Sequence, residues 1–454
     1  MQKDVRSLAN SAEPGKQTEE YFFKNYKEKF FRAVKWNVVE SIGYQVIFML
    51  HQCGLFWYCD RSLYGKIGAL LAACYLGVTV LVAGFDGGLL PFFERFTATK
   101  QDFKKFIFGK LVPHLCLMVG TVGLIGIIFF ISGRTFFSFS GWSLFLVGLF
   151  VLVEATKKIL KQLLYLGFHN KQTALFEVLQ IGLYSGTVWG CYMAGIPFSI
   201  PLFMIPFIVW STVFCFLCVC ILKVYYRTLP FAHTTSLPLI SLSFIFLRGA
   251  VLINQLSRAF FSSNFLVPLF AIHGGFREAG VLTFANYLTH ACTFFIQKIT
   301  LPPAEALFSR IKKLSLVAHH KAFSLVLTLF SSLTLVFGFL FFFKGRSLAT
   351  SFGYSVLDHV TWKLLIFFFF IHLLESIFML YEKFFLLQEQ IMFLALGNVI
   401  TCVICYLLFL LKLPFFVLVF TCIFMRFSFF IFLSLRIYSS KLASGASFQG
   451  RLQR

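Results

Sequence analysis

Charge is what this sequence lacks. Only 13% of its residues are Asp, Glu, Lys or Arg, about half the share of a soluble globular chain. Acids are scarcer still, with 18 Asp and Glu in 454 residues. So little charge excludes a soluble domain of this size. Organised cysteine chemistry is missing too. The 12 cysteines are scattered through apolar segments. The close pairs Cys215/Cys218 in "CFLC" and Cys402/Cys405 in "CVIC" have no second ligand pair, which leaves packing as their role and no metal site. Enzyme signatures are absent as well. "GFDGG" at 84–88 is Gly-rich but runs into "LLPFFERF" with no phosphate-binding lysine. There is no GxSxG and no paired set of His ligands. The reading is a non-enzyme that needs no cofactor. No Asn-X-Ser/Thr acceptor and no cleavable signal peptide is visible, and the expected location is a bacterial inner (cytoplasmic) membrane.

Hydrophobic sequence is what is there: 59% of residues, including 65 Phe, with a mean hydropathy of +0.83. Apolar runs about 20 residues long recur along almost the whole chain, the length that crosses a bilayer. They predict an all-α polytopic membrane protein with about twelve transmembrane helices. The spans fall near 37–59, 64–92, 107–132, 142–166, 173–195, 199–223, 239–271, 279–305, 321–344, 361–386, 390–412 and 414–437. With the N-terminus inside, the 40 Lys and Arg favour the inner loops over the outer ones by roughly three to one. That asymmetry puts both termini in the cytoplasm. It also explains the formal charge of +22 by topology and anionic headgroups, without nucleic acid. The expected organisation is a basic amphipathic segment over 1–36, lying along the inner membrane face, then a six-helix bundle over 37–225. A cytoplasmic linker over 226–238, a second bundle over 239–437 and a tail over 438–454 follow.

One helix is written twice. "GALLAACYL" at 68–76 returns as "GVLTFANYL" at 280–288, sharing Gly68/Gly280, Leu70/Leu282, Ala73/Ala285, Tyr75/Tyr287 and Leu76/Leu288. The copies sit in the second and eighth spans, and both run from outside to inside. A like-oriented repeat implies two six-helix bundles related by an axis along the membrane normal. Such pairs enclose a midplane site and alternate access by rocking.

Polar side chains in lipid are costly, so their placement marks the faces turned away from it. In the seventh span Ser241, Arg248, Gln255 and Ser262 recur every seven residues, flanked by Asn254 and Arg258. In the eighth, Thr283, Asn286, His290, Thr293, Gln297 and Thr300 form one seam, with Lys298 beside it. The first carries Asn37, Ser41, Tyr44, His51 and Tyr58 on one face. A single Ser or Thr is explained by helix packing. Four bases are not: Arg248, Arg258, Lys298 and Arg426 would together cost roughly 10–14 kcal/mol against lipid. They require water or a partner charge, and a cavity lined by the first, seventh and eighth spans meets that need. Gln255, Asn254, Asn286, His290, Gln297, Tyr44 and His51 are its candidate polar lining. A cationic cavity suits an anionic headgroup such as a pyrophosphate. The competing reading is that Arg248 or Arg258 pairs structurally with Glu154 or Glu375. Glu375, Glu154 or His290 are the candidates for coupling to H+ or Na+.

Two stretches carry a family resemblance. "LYGKIGALLAACYLGVTVLVAGFDGGLLPFFERF", with Tyr64, Gly65, Gly84, Gly88 and Arg95, resembles the second span of polysaccharide (O-antigen-type) flippases of the multidrug/oligosaccharidyl-lipid/polysaccharide superfamily. "HGGFREAGVLTFANYLTHACTFFIQKITLPPAEALFSR", with Gly280, Tyr287, Pro302 and Pro303, is similar to the corresponding eighth span. The resemblance implies translocation of a polyprenyl-pyrophosphate-linked oligosaccharide from the inner to the outer leaflet by a monomer in the lipid bilayer. Arg248, Arg258, Lys298 and Arg426 would hold its pyrophosphate. The rivals are a cation-coupled multidrug exporter of the same superfamily, which calls for an acidic cavity, and an integral-membrane glycan polymerase or glycosyltransferase, which calls for larger outer loops.

Overall fold

A computed structural model of the chain describes residues 14–132, 141–230, 242–259, 276–311, 316–351 and 391–410, with isolated positions in 267–271, 369–386 and 424–432. Among the described residues there is no strand. Ten long helices are present: α1 (Pro14–Tyr58), α2 (Arg61–Val82), α3 (Val112–Ser132), α4 (Gly141–Leu166), α5 (Asn170–Met193), α6 (Ile200–Thr228), α7 (Leu242–Ala259), α8 (Phe276–Ile311), α9 (Leu316–Ser351) and α10 (Ile391–Leu410). They correspond to the expected spans one to nine and eleven. The tenth and twelfth spans lie largely outside the described residues. Four segments are apolar and long enough to cross a membrane on composition alone: Arg61–Phe96, Lys100–Ile128, Ile200–Thr228 and Lys321–Leu340. Within α10, Ile391–Ile404 is a shorter apolar helix, while α1, α4 and α8 carry charged residues whose pairs, described below, are buried against other helices.

The exposed and buried faces follow the period of the helix. On α1, Val39, Ile42, Val46 and Leu50 are exposed at the spacing of one helix face, a stripe suited to acyl chains. The opposite face buries Asn37, Glu40, Ser41, Gln45 and His51. The expected boundary at residue 36 is not a structural break. α1 runs unbroken from Pro14 to Tyr58, because nothing between the amphipathic segment and the span stops a helix. Its inner stretch does not lie apart on the membrane face as expected. Phe30 is fully buried against α8 and α9.

The second span does break. Ala83 and Gly84 are left-handed, at φ 48° and 66°. The chain then resumes helically as Phe85–Leu89, Leu90–Phe92 and Phe93–Phe96. Gly84 is required twice over. Its φ is one that L side chains rarely adopt, and a Cβ there would lie 2.2 Å from the Arg248 carbonyl oxygen on α7. The halves meet along α1–α8, α2–α8 and the turn after α2 against α7. The repeated segments are themselves one of these contacts. A Cβ on Gly65 would sit 1.7 Å from the Phe276 carbonyl oxygen, and Gly68 abuts Thr283. Glycine in α2 lets two backbones touch where the repeats cross, the device that packs helices closely in membranes. With the N-terminus on the inner side, as the charge asymmetry sets it, this crossing lies toward the outer face.

Candidate functional site

The repeat places two equivalent tyrosines opposite each other. Tyr75 on α2 and Tyr287 on α8 lie within electrostatic reach of one another, of Tyr44 on α1 and, for Tyr44 and Tyr75, of the Glu154 and Glu177 carboxylates. All three tyrosines are half-buried. Rings continue around them. Tyr44 stacks with Phe294 at 6.0 Å and Phe48 at 5.8 Å, and Phe48 meets Tyr287 edge-on at 5.3 Å. On the other side Tyr75, Phe150, Phe207 and Tyr184 contact in series at 5.0–5.9 Å, and His51 lies 5.0 Å from Tyr184.

Glu154 is a buried carboxylate within electrostatic reach of Tyr44 and Tyr75. It accepts from Ser211 Oγ at 2.7 Å and pairs with Lys157 Nζ at 3.0 Å. Gln180 ties both together, donating to Ser211 Oγ at 2.6 Å and accepting from Lys157 at 3.2 Å. Several buried polar atoms here have no protein partner: Ser41 Oγ, Gln45 Oε1, Ser185 Oγ and both ring nitrogens of His51. Leaving such an atom unbonded costs about 1–3 kcal/mol. They are hydrogen-bonding capacity available to water or a bound solute. Aromatic faces beside carboxylates attract cations.

The bases predicted to line a cationic cavity are largely spent on protein partners. Arg258 Nη1 pairs with Glu382 at 2.8 Å. Lys298 Nζ pairs with Glu40 at 2.6 Å and also meets Tyr165 Oη at 3.2 Å. Arg248 has no carboxylate at bonding distance among the described residues. It is held by His114 Nδ1 at 3.1 Å and the Ala83 carbonyl at 3.4 Å, with its guanidinium 4.9 Å from the Phe85 ring centroid. Pairing of Arg248 or Arg258 with Glu154, part of the structural alternative, is not what the described geometry contains. Glu154 serves Lys157, while the side chains of Glu375, Arg426 and His290 lie outside the described residues.

The polar lining divides. Tyr44 and His51 join the aromatic cluster, against Phe294 and Tyr184 respectively. Asn286 bonds His372 Nε2 at 3.0 Å, and Gln297 donates to Ser376 at 2.8 Å. Asn254 bonds Asn398 on α10, and Gln255 donates to Asp86 at 3.3 Å. α7 therefore spends its polar stripe on the turn after α2 and on its own half, because its seven-residue line faces those helices.

Sequence reasoning missed the charged face of α4. Lys158, Lys161, Gln162 and Tyr165 share that face at helical spacing. Lys158 pairs with Asp86 at 3.1 Å, and Lys161 bridges Glu40 at 3.3 Å and Glu177. Gln162 donates to Glu305, which pairs with Lys383 at 2.7 Å. Counting these lysines toward cytoplasmic charge hid a periodicity that was readable in "TKKILKQLLY". No group of metal-ligating side chains occurs among the described residues.

No family model matches this chain, and no curated protein does. Solved structures do. The chain is similar to a multidrug resistance MATE family transporter of the MOP superfamily in its outward-facing conformation, at 14% identity and a TM-score of 0.64, over 92% of this chain and 97% of that one. It is similar to the eukaryotic MATE transporter AtDTX14 at 13% identity and 0.65, over 91% and 96%. A MATE in the bent conformation gives 15% and 0.55, over 92% and 97%. At such identity the likeness shows the fold. This is an all-helical, multi-pass chain with the MATE-type transporter architecture, consistent with two pseudo-symmetric bundles. The fold agrees with the one that the resemblance of the second and eighth spans implied; one of these structures is of a multidrug resistance MATE family transporter of the MOP superfamily, and the polysaccharide branch is not shown.

Proposed function

We propose that this protein is an alternating-access exporter of amphipathic organic cations, driven by an H+ or Na+ gradient across a bacterial cytoplasmic membrane. The carrying observation is the cluster of aromatic rings that includes Tyr44, Tyr75, Tyr184 and Tyr287, drawn from helices of both halves, with the buried Glu154 carboxylate near it; this reading takes it as the transport chamber. Aromatic rings bind an organic cation through their faces, by about 0.5–2 kcal/mol each depending on desolvation. Glu154, which pairs with Lys157 at 3.0 Å, supplies the charge when the cation displaces that lysine. The pairing of Arg258 with Glu382 and of Lys298 with Glu40 takes from the anionic-cargo reading its main support, an excess of unpaired buried base. The MATE-type fold over nine-tenths of the chain agrees with export of small solutes.

A second reading, flipping of a polyprenyl-pyrophosphate-linked oligosaccharide, keeps one specific observation: Arg248 is a buried guanidinium with no carboxylate at bonding distance among the described residues. Proteoliposomes separate the two. The exporter reading expects gradient-driven movement of a lipophilic quaternary phosphonium or ammonium dye, lost in Glu154→Gln. If the dye stays put and a fluorescent polyprenyl pyrophosphate crosses leaflets in an Arg248-dependent manner, the second reading replaces the first.

A further inference from the structure

α1 belongs to the first half by chain order, yet its inner stretch is built into the second. Phe30 is fully buried in a hydrophobic cluster whose other buried members include Ile296, Leu307 and Phe308 of α8 and Ala322, Val326 and Phe330 of α9. Further along the same helix, Glu40 is 1% exposed and carries four contacts. It accepts from Lys298 Nζ at 2.6 Å and pairs with Lys161 Nζ at 3.3 Å. Tyr165 Oη donates to its two oxygens at 2.8 and 3.0 Å. Lys161 also holds Glu177. Asn37 donates to the Lys298 carbonyl at 2.7 Å and accepts from Asn170 at 2.8 Å. The result is one balanced cluster, Glu40 and Glu177 against Lys161 and Lys298, tying α8 of the second half to α1, α4 and α5 of the first.

Its position relative to the chamber is set by helix geometry. Glu40 is one turn inward of Tyr44 on α1, and Lys298 is one turn inward of Phe294 on α8. The cluster therefore lies directly on the cytoplasmic side of the Tyr44–Phe294 contact. The Asp86–Lys158 and Glu305–Lys383 pairs extend the same seam toward α2, α7 and the tenth span.

Resting on the alternating-access reading above, we propose that the inner stretch of α1 is the cytoplasmic gate. Phe30 is a hydrophobic plug in the second half, and the Glu40–Lys298 bridge is the latch. For the chamber to open inward, Phe30 leaves its pocket and Glu40 parts from Lys298 while remaining with Lys161 and Tyr165. Glu40 keeps enough partners on its own side that opening strands Lys298 and not the carboxylate. Water entering from the cytoplasm then solvates that ammonium.

Hydrogen–deuterium exchange on the full-length protein in lipid nanodiscs tests this without any cargo. In Lys298→Met and, separately, Phe30→Ala, amide exchange over 38–46, 158–166 and 294–302 should rise at least about tenfold. Exchange at the outer crossing, 61–68 and 276–283, should stay unchanged. The conservative Lys298→Arg, which keeps a cation beside Glu40, should hold the inner segments to within about threefold of the native protein. Where Lys298→Met does not accumulate, Phe30→Ala decides, since it removes no charge. Unchanged exchange in the inner segments, or an equal rise at the outer crossing, overturns the gate. A gate that responds as expected in a protein that moves no dye would instead count against the exporter reading alone.

Discussion

Gly65 shows how much a single missing Cβ determines. An added methyl would lie 1.7 Å from the Phe276 carbonyl oxygen, so α2 and α8 would have to separate. Helix propensity alone favours Gly→Ala by about 1 kcal/mol. The clash outweighs it, and Gly65→Ala should lower stability by about 1–3 kcal/mol. Thermal unfolding in detergent checks this against Gly186→Ala on α5, where a Cβ meets nothing within 4 Å and stability should hold or rise. Glu154 makes the complementary case for chemistry. Its partners Ser211 and Lys157, and the Gln180 that bonds both of them, are all on the first half, so Glu154→Gln should leave the interface between halves intact. It should cut the rate of cation transport about tenfold or more, in proteoliposomes whose protein melts within a few degrees of the native one.

At the level of the helix, α4 is the element whose role exceeds its first appearance. Its Lys158, Lys161, Gln162 and Tyr165 face acids from four other segments. Removing one partner of a buried pair strands the other, at about 3–5 kcal/mol. Lys161→Met leaves both Glu40 and Glu177 short of a base and should be the most destabilising single change on α4. Lys157→Met, which also removes a buried pair but leaves Glu154 its Ser211 bond, should cost less. Denaturant or thermal melts of the two variants side by side settle the order. The helices themselves were legible in the sequence, because about 20 apolar residues in a row admit few alternatives. So was the repeat, whose copies meet where Gly68 abuts Thr283. Pairing was not legible. Arg258 finds Glu382 across 124 positions and Lys298 finds Glu40 across 258, and nothing local in a sequence announces a contact at that separation. The continuity of α1 was missed for the opposite reason. A change in composition at residue 36 marks where lipid begins, not where a helix ends.

Across the whole molecule, the charge asymmetry that set the topology leads to a simple check. Fluorescent-protein and alkaline-phosphatase fusions at the C-terminus should report the cytoplasmic side, fluorescent and phosphatase-inactive respectively. The opposite pattern would invert the gate and the outer crossing together. That crossing has one more implication. Where α2 and α8 touch backbone to backbone there is no slack to slide, so the pair can only turn about that spot like the rivet of a pair of shears. Lys298 lies 18 residues along α8 from Gly280, a lever arm of roughly 27 Å. A swing of only about 10° carries its ammonium about 5 Å, well beyond the reach of Glu40, so a small angular play at one end becomes a complete disengagement at the other.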